Sequence, residues 1–171
     1  MSCSLIEATA TTAQNMEDVG RRLGELLLSS PDAAGPAIVF LRGPLGAGKT
    51  TFARGVLRAF GVDGIVKSPT YTLVETYETD CGSLVHVDLY RLNQVEEVEY
   101  LGLEGYLESA VCLFEWPERA VGALPQADLE IIIDADRDPR RLSISAITAR
   151  GAVLTVGLDA RLQFAESLSK T

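Results

Sequence analysis

The pattern of apolar positions in the N-terminal part of the chain predicts a strand followed by a helix, twice in succession. A short strand is expected within residues 2–12, and an apolar stripe with helical spacing then predicts a helix over about 12–28. The run 37–42 is mostly apolar, with β-branched and aromatic members, which predicts a buried strand. Apolar residues over 51–60 return to helical spacing and predict a second helix.

The middle of the chain predicts a hairpin and a helix. Two strand-like runs, 72–77 and 83–88, flank a turn-forming segment, and this arrangement predicts an antiparallel pair. Asn93, followed three residues later by Glu96, resembles a capping box and predicts the start of a helix that extends to about residue 109. A surface loop with two prolines is expected over 29–36.

The C-terminal half is dominated by predicted strands. A continuous apolar run predicts a strand at 110–114, and residues 129–133, 142–147 and 153–156 also predict strands. A short helix or turn is expected at 116–119, and a charged loop at 134–141.

Composition narrows the class of protein. The chain has 171 residues, 47% of them hydrophobic, which suits one folded domain with a core. No apolar run is long enough for a membrane span, and no signal-peptide pattern is found, so no membrane association is expected. The cysteines Cys3, Cys81 and Cys112 fit neither a zinc site nor a disulfide framework, which favours a cytoplasmic protein. The net charge of −9 argues against a domain that grips nucleic acid alone.

The segment Gly43–Thr50 carries the candidate chemistry. It matches G-x-x-x-x-G-K-[ST], the phosphate-binding loop, and lies between a predicted strand and a predicted helix, as that motif requires. Gly46 and Gly48 would let the backbone turn its N–H groups toward a phosphate, and the helix N-terminus adds a partial positive charge. Lys49 could reach the β- and γ-phosphates, and the Thr50 hydroxyl could bind Mg²⁺.

Together, the motif and the elements around it predict the fold class. We expect a single α/β domain of the P-loop NTPase type over residues 1–171. Its mixed sheet should have a parallel core with additional antiparallel strands, and helices should cover both faces.

Two acidic residues stand at the ends of predicted strands. Asp88 follows the apolar run 84–87, and Glu115 follows 111–114. An enzyme with a phosphate loop needs a carboxylate near Mg²⁺ and a group that orients or deprotonates the attacking water. The pattern does not rank Asp88 and Glu115 between these two roles.

Residues near these acids have two interpretations each. His86 and Asp88 alternate on a strand and share a face. One histidine without a second histidine or paired cysteines is a poor metal site, so His86 is expected to make a hydrogen bond that positions the loop, or only to pack. Arg91 could approach a phosphate or form a salt bridge. Ser68 and Thr70 carry hydroxyls on a proline-stiffened loop, as nucleotide-sensing switch loops do, although such residues are also ordinary in turns.

Trp116, Arg140 and Arg141 also have more than one possible role. Trp116 is the only tryptophan, and it could pack in the core, stack on a base or anchor a partner. Arg140 and Arg141 could cover the nucleotide from a mobile loop or belong to a solvated turn.

Four blocks of sequence resemble the TsaE (YjeE) family of small bacterial ATPases. They are residues 43–51, 68–74, 86–91 and 115–117. The phosphate loop alone indicates only nucleotide binding, whereas the H-x-D-x-Y-R and E-W-P blocks make the resemblance specific. Order and spacing agree from the first helix to about residue 133. Members of this family act in making threonylcarbamoyladenosine beside the anticodon of tRNAs.

The resemblance implies a site for ATP or ADP with Mg²⁺. Thr50 and Glu115 would bind the metal, while Asp88 and Lys49 would act in hydrolysis. Thr12 and Arg140 lie in regions where family members approach the adenine, and residues 68–71 correspond to the nucleotide-responsive loop. The other expected nucleotide contacts are Gly43, Gly46, Ala47, Gly48, Thr51, Ser68, Thr70 and Trp116.

The resemblance also implies partners. Such proteins work with the TsaD and TsaB subunits, which carry the transfer chemistry, and tRNA is reached through that complex. The ATPase cycle would drive a conformational or product-release step. One departure is visible, since Pro44 stands where the family usually has an acidic residue. That position carries neither the lysine nor the threonine contact, so nucleotide binding is expected to survive.

Two other functions remain open at this point. A small-molecule kinase would share the phosphate loop and could use Arg137, Arg140 and Arg141 as a lid. A nucleotide-sensing adaptor would bind ATP and order the Ser68 loop for a partner without turnover. Phosphate release without an added acceptor separates an ATPase from the kinase, and turnover with the partner present separates it from the adaptor.

Overall fold

The computed structural model describes residues 5–29, 35–136 and 138–169, with side chains to residue 165. Cys3, Arg137 and most of the predicted loop 29–36 lie outside these ranges. Within them the strands are β1 (Leu5–Ala10), β2 (Ala37–Arg42), β3 (Val74–Thr79), β4 (Gly82–Asp88), β5 (Val111–Glu115), β6 (Leu129–Asp134) and β7 (Arg140–Ala146). The α-helices are α1 (Ala13–Ser29), α2 (Lys49–Ala59), α3 (Glu104–Leu107) and α4 (Ala149–Ser169), and 3₁₀ helices occupy Val95–Leu101 and Pro117–Ala120.

The described strands form one seven-stranded sheet in the order β1-β7-β6-β2-β5-β4-β3. Strand β2 pairs in parallel with both β5 and β6, and β5 pairs in parallel with β4. The remaining pairs, β3–β4, β6–β7 and β1–β7, are antiparallel. The predicted mixed sheet with a parallel core is therefore confirmed. Because parallel strands end at the same edge, the carboxyl ends of β2, β4 and β5 meet there.

Apolar side chains cover both faces of the sheet. One cluster joins α1, α2 and α4 to alternate positions of the strands, including Val39, Leu84 and Leu113. The other cluster packs the short helices between residues 95 and 120 against the intervening positions, such as Val85 and Phe114. Helices thus lie on both faces, as predicted, with the longer ones on the face of Leu84 and Leu113.

A close crossing of α1 and α2 sets where α2 begins. A Cβ atom on Gly20 would lie 2.1 Å from the carbonyl oxygen of Phe52, and one on Gly55 would lie 2.0 Å from the carbonyl oxygen of Glu17. Such distances leave no room for a side chain, so the glycines allow the two backbones to touch. The contact holds α2, whose first residue is Lys49, against α1.

The predicted strand at 153–156 is wrong, because these residues belong to α4. The run is apolar and partly β-branched, and so short a run does not distinguish strand from helix. The buried positions 151, 154, 155 and 158 have helical spacing. Thr148 caps the helix, since the N–H of Gly151 donates to Thr148 Oγ1 at 3.0 Å.

The single helix predicted over 93–109 is also wrong. A 3₁₀ helix runs from Val95 to Leu101, and α3 follows after a break at Gly102, which has φ 67°. The capping box is present one residue later than predicted, with Gln94 as N-cap and Glu97 as its partner.

Arg140 and Arg141 do not lie on a loop, since both belong to β7. The charged loop ends before them, and Arg141 pairs in register with Asp134 of β6. The other predicted strands and the hairpin appear with boundaries within a few residues of those expected. Among the described residues, no helix combines the length and the apolar character needed to cross a membrane.

Candidate functional site

The loop between β2 and α2 lies at the carboxyl edge of the sheet. Gly43 has φ 143°, and a Cβ atom there would meet the carbonyl oxygen of Ile133 at 2.6 Å. Gly48 has φ 113° and caps α2 at its N-terminus. Left-handed backbone of this kind is open to glycine and costly for other residues. The glycines of the motif therefore allow the turn that leads straight into the first helical turn at Lys49.

Lys49 is buried beneath this loop, with 4% of its surface exposed. Its Nζ donates to the carbonyl oxygens of Gly43 at 2.7 Å and Pro44 at 3.0 Å, and it lies 3.8 Å from the centroid of a Trp116 ring. Burial lowers the pKa of Lys49, and the carboxylates of Glu115, Asp88 and Glu118 act in the opposite direction. The ammonium group thus lies where three acids converge.

The ends of β4 and β5 bring two carboxylates to one place. Asp88 and Glu115 are register partners on these parallel strands, and each is 3% exposed. Side chains alternate between the two faces along a strand, so Asp88 points to the same face as Leu84 on β4, and Glu115 to the same face as Leu113 on β5. Both leucines belong to the cluster on the α2 side of the sheet, so both carboxylates lie on that side. Burying two carboxylates raises the free energy of the folded state unless hydrogen bonds or cations compensate.

Glu115 contacts the beginning of α2. Its Oε1 accepts a hydrogen bond from Thr50 Oγ1 at 2.8 Å, and it lies 2.8 Å from Nε2 of the buried His86. The predicted hydrogen bond of His86 is thus present, but its partner is Glu115 rather than the phosphate loop.

Asp88 contacts a different segment. Its Oδ2 accepts hydrogen bonds from the hydroxyls of Ser68 and Thr70, the latter at 3.0 Å, and its Oδ1 accepts from the N–H of Tyr90 at 2.9 Å. The Asp88 N–H in turn donates to the carbonyl oxygen of Leu73 at 2.9 Å. The loop over 67–73 is therefore fastened to one acid, and the first turn of α2 to the other.

Aromatic and cationic side chains form the rim of the site. Trp116 is half-buried with φ 60°, and its ring lies 5.0 Å from that of Tyr90. The Arg91 guanidinium lies over the ring of Tyr71, 4.2 Å from its centroid. Arg140 Nη1 donates to the Ala47 carbonyl oxygen at 3.0 Å. Trp116 thus lies at the rim of the site while also packing against the second apolar cluster, and Arg91 stacks on an aromatic ring.

These groups surround a cavity of about 400 Å³. A neighbouring cavity of about 500 Å³ is lined by Thr12, Asp136 and Asp138 among others, and Arg140 lines both. Gly43 lines neither of these two cavities, and Thr12 lines only the second. The predicted residues that line the first cavity are Gly46, Ala47, Gly48, Lys49, Thr50, Thr51, Ser68, Thr70, Asp88, Glu115, Trp116 and Arg140.

Sequence reasoning gave no role to Tyr90, which contacts Asp88 through its N–H and Trp116 through its ring. The one available signal was its position two residues after a strand-ending acid, inside the H-x-D-x-Y-R block. Arg119, whose guanidinium lies 5.7 Å from the Tyr90 ring centroid, carried no signal.

The fold and the site place this chain among mixed α/β proteins in which a glycine-rich loop joins a parallel strand to a helix, with acids at neighbouring strand ends. Residues 10–142 match the model of the family described as threonylcarbamoyl adenosine biosynthesis protein TsaE. The chain therefore belongs to the TsaE family, whose members take part in threonylcarbamoyladenosine biosynthesis.

Individual relatives agree with this assignment. The chain is 44% identical to a tRNA threonylcarbamoyladenosine biosynthesis protein TsaE of Haemophilus influenzae, over 77% of this chain and 84% of the relative. It is 36% identical to the TsaE protein of Streptomyces coelicolor, over 84% and 98% of the two chains. The crystal structure of Bacillus subtilis YdiB superposes with a TM-score of 0.76 at 27% identity, covering 94% of this chain and 98% of YdiB.

Proposed function

We propose that this protein is a magnesium-dependent ATPase that supports the formation of threonylcarbamoyladenosine in tRNA by acting on a TsaB–TsaD complex. The observation that carries the proposal is the meeting of Lys49, Thr50, Asp88 and Glu115 around one glycine-rich loop. A lysine, a hydroxyl and two carboxylates at such a loop are the groups that phosphoryl transfer requires.

The loop suits the phosphates of ATP or ADP. Left-handed glycines allow its N–H groups to turn inward, and the N-terminus of α2 contributes a partial positive charge. Lys49 lies beside the cavity, and its present hydrogen-bond partners are carbonyl oxygens of the loop itself. A phosphate oxygen would be a stronger, charge-assisted partner than either carbonyl, so we expect Lys49 to exchange partners when nucleotide binds.

Thr50 and Glu115 suit Mg²⁺. The hydroxyl and the carboxylate are 2.8 Å apart at the start of α2, and both are oxygen ligands of the kind that Mg²⁺ prefers. Mg²⁺ is commonly bound through one or two protein oxygens together with substrate phosphates. When bound, the ion would neutralise charge on the phosphates during transfer.

Asp88 is the acid we assign to the attacking water. It faces the same cavity as Lys49 but has no hydrogen bond to α2, so it is free of the role given to Glu115. A carboxylate in this position can orient a water molecule and accept its proton. Ser68 and Thr70 donate hydrogen bonds to the same carboxylate. If Asp88 moved or accepted a proton during the reaction, these hydrogen bonds would change, and the loop over 67–73 would move with them.

Family membership and net charge support the proposed partners. The relatives are named as tRNA threonylcarbamoyladenosine biosynthesis proteins. With a net charge of −9, this chain is a poor binder of a tRNA backbone by itself, so we assign that contact to the TsaB–TsaD complex. The proposed location is the cytoplasm.

Phosphate release tests the proposal. We would measure it with ATP and Mg²⁺ for the protein alone, and again with purified TsaB, TsaD and unmodified tRNA. Turnover should be weak alone and strongly stimulated by the complex, with no added phosphate acceptor. Bound ATP without stimulated turnover would contradict the proposal and favour a nucleotide-sensing adaptor. ADP formation that depends on an added small-molecule acceptor would favour a kinase.

A further inference from the structure

His86 is a buried polar residue to which the proposed chemistry assigns no task. It lies on β4 between Leu84 and Asp88 and has no exposed surface. Its Nε2 is 2.8 Å from Glu115 Oε1, and its Nδ1 has no hydrogen-bond partner among the described residues. A buried nitrogen without a hydrogen-bond partner destabilises the folded state, and an apolar side chain at this position would avoid that loss. The histidine is therefore expected to have a function that an apolar residue could not serve.

The role proposed for Glu115 sets the direction of this contact. A metal-binding carboxylate is ionised and only accepts hydrogen bonds, so in that role Nε2 of His86 donates to Glu115. The same carboxylate oxygen accepts from Thr50 Oγ1. Two donors from opposite sides, β4 and α2, therefore fix one oxygen of Glu115.

Removing the His86 donor would leave the Glu115 carboxylate with less restraint. The Thr50 hydroxyl uses its proton for Glu115, so its lone pairs stay available to a cation only while the carboxylate is held in place. Mutation of a group that holds a metal ligand in this way commonly lowers metal affinity by about 10- to 100-fold.

We propose that His86 is a positioning residue that acts through Glu115 and sets how strongly Mg²⁺ contributes to nucleotide binding. The inference rests on the proposed function, since it assumes that Thr50 and Glu115 serve Mg²⁺. Lys49 and the loop N–H groups do not contact His86, so nucleotide binding without Mg²⁺ should not depend on it.

Two amide substitutions separate the donor from the bulk of the side chain. The amide nitrogen of His86→Gln can occupy the place of Nε2 and donate to Glu115, whereas that of His86→Asn corresponds to Nδ1 and falls short. Leu84→Val is the matched packing control, because Leu84 is fully buried on the same face of β4 but makes no polar contact with Glu115. Thermal unfolding is measured for all three variants.

The readout is the Kd for ADP by titration calorimetry, in saturating Mg²⁺ and in EDTA. The Kd in EDTA divided by the Kd in Mg²⁺ measures how much Mg²⁺ strengthens ADP binding. This ratio should be the same in the wild type, His86→Gln and Leu84→Val. It should fall by about tenfold or more in His86→Asn, whose Kd in EDTA should not change. Equal ratios for the Gln and Asn variants, or a ratio that follows the unfolding temperature across all three, would overturn the role of His86.

The outcome also distinguishes this inference from the proposed function. If wild-type protein binds ADP equally well with Mg²⁺ and with EDTA, the assignment of Thr50 and Glu115 to Mg²⁺ is overturned. If wild-type binding depends on Mg²⁺ while His86→Asn retains the full ratio, only the role of His86 is overturned.

Discussion

At the residue scale, Asp88 and Glu115 have different partners although they are opposite each other on adjacent strands. Glu115 bonds to Thr50 and His86, and Asp88 bonds to Ser68, Thr70 and the backbone of Tyr90. Under the proposed function, a carboxylate beside the start of α2 suits a metal, and one tied to the loop over 67–73 suits the attacking water. This division of partners predicts separate defects when either acid is replaced by its amide.

Asp88→Asn should keep ADP affinity and Mg²⁺ dependence but lower complex-stimulated phosphate release by about 10²- to 10⁴-fold, the usual contribution of a general base. Glu115→Gln should instead weaken Mg²⁺-dependent ADP binding by about 10- to 100-fold. Titration calorimetry and phosphate release, run on both variants, check this. If Asp88→Asn loses Mg²⁺ dependence and Glu115→Gln retains it, the two assignments are reversed.

Sequence predicted most of the residues that line the candidate site, but it assigned no role to Tyr90 and did not predict which side chains are paired. The phosphate loop is a local pattern, so Lys49 and Thr50 follow from spacing alone. The contact between Thr50 and Glu115 spans 65 residues, and Asp88 and Ser68 are 20 apart, so both depend on how strands are ordered in the sheet. In the sequence, Asp88 and Glu115 both end an apolar run and look alike. Only the folded sheet brings one to Thr50 and the other to Thr70.

At the element scale, the crossing of α1 and α2 positions the start of α2. Gly55→Ala should destabilise the protein by about 1–3 kcal/mol or more, because its methyl group would overlap the Glu17 carbonyl oxygen and force the helices apart. For a chain of this length, each kcal/mol lowers Tm by about 2–4 °C. Thermal unfolding followed by circular dichroism measures the change.

The same substitution at Gly105 is the control. Gly105 lies in α3 with no atom within 4 Å of a Cβ position, so Gly105→Ala should leave Tm unchanged or slightly raise it. Equal losses of stability in the two variants would contradict the account of the helix crossing.

Elements with a clear period were predictable, and those that depend on their neighbours were not. The strand before the loop and the hairpin have the apolar pattern and turn residues of their type, and the structure contains both. Residues 153–156 have an equally apolar pattern but continue a helix that packs on β7 and α1. The prediction of one helix over 93–109 is wrong because Gly102, with its left-handed φ, ends the 3₁₀ helix at Leu101.

At the scale of the whole molecule, the central strands are inaccessible until the sheet opens. Cys112 lies on β5 with no exposed surface, and burial raises the pKa of its thiol to about 12. Cys81 lies exposed at the turn between β3 and β4. Both described cysteines are free. The two thiols therefore report different events, local exposure and opening of the sheet.

Iodoacetamide should modify Cys81 in the native protein at pH 8 and leave Cys112 unmodified, because the thiolate is the reactive form. Cys112 should react only as denaturant unfolds the chain, and peptide mapping by mass spectrometry distinguishes the sites. Because burial raises the pKa of the Cys112 thiol from its ordinary 9.0 to about 12, the unfolded chain loses this proton at lower pH, so raising the pH across this interval should also favour unfolding. Equal rates at Cys81 and Cys112 without denaturant would contradict this description of the core.

Every assignment above depends on nucleotide binding at the Gly43–Thr50 loop. The most direct test is titration calorimetry of ATP and Mg²⁺ against the wild type and Lys49→Ala. The wild type should bind one nucleotide per chain, and loss of the charge-assisted contacts should weaken binding by about 10- to 100-fold in the variant, provided that its unfolding temperature is unchanged. If Lys49→Ala binds ATP as tightly as the wild type, the nucleotide site lies elsewhere and the roles proposed for Thr50, Asp88 and Glu115 are overturned with it.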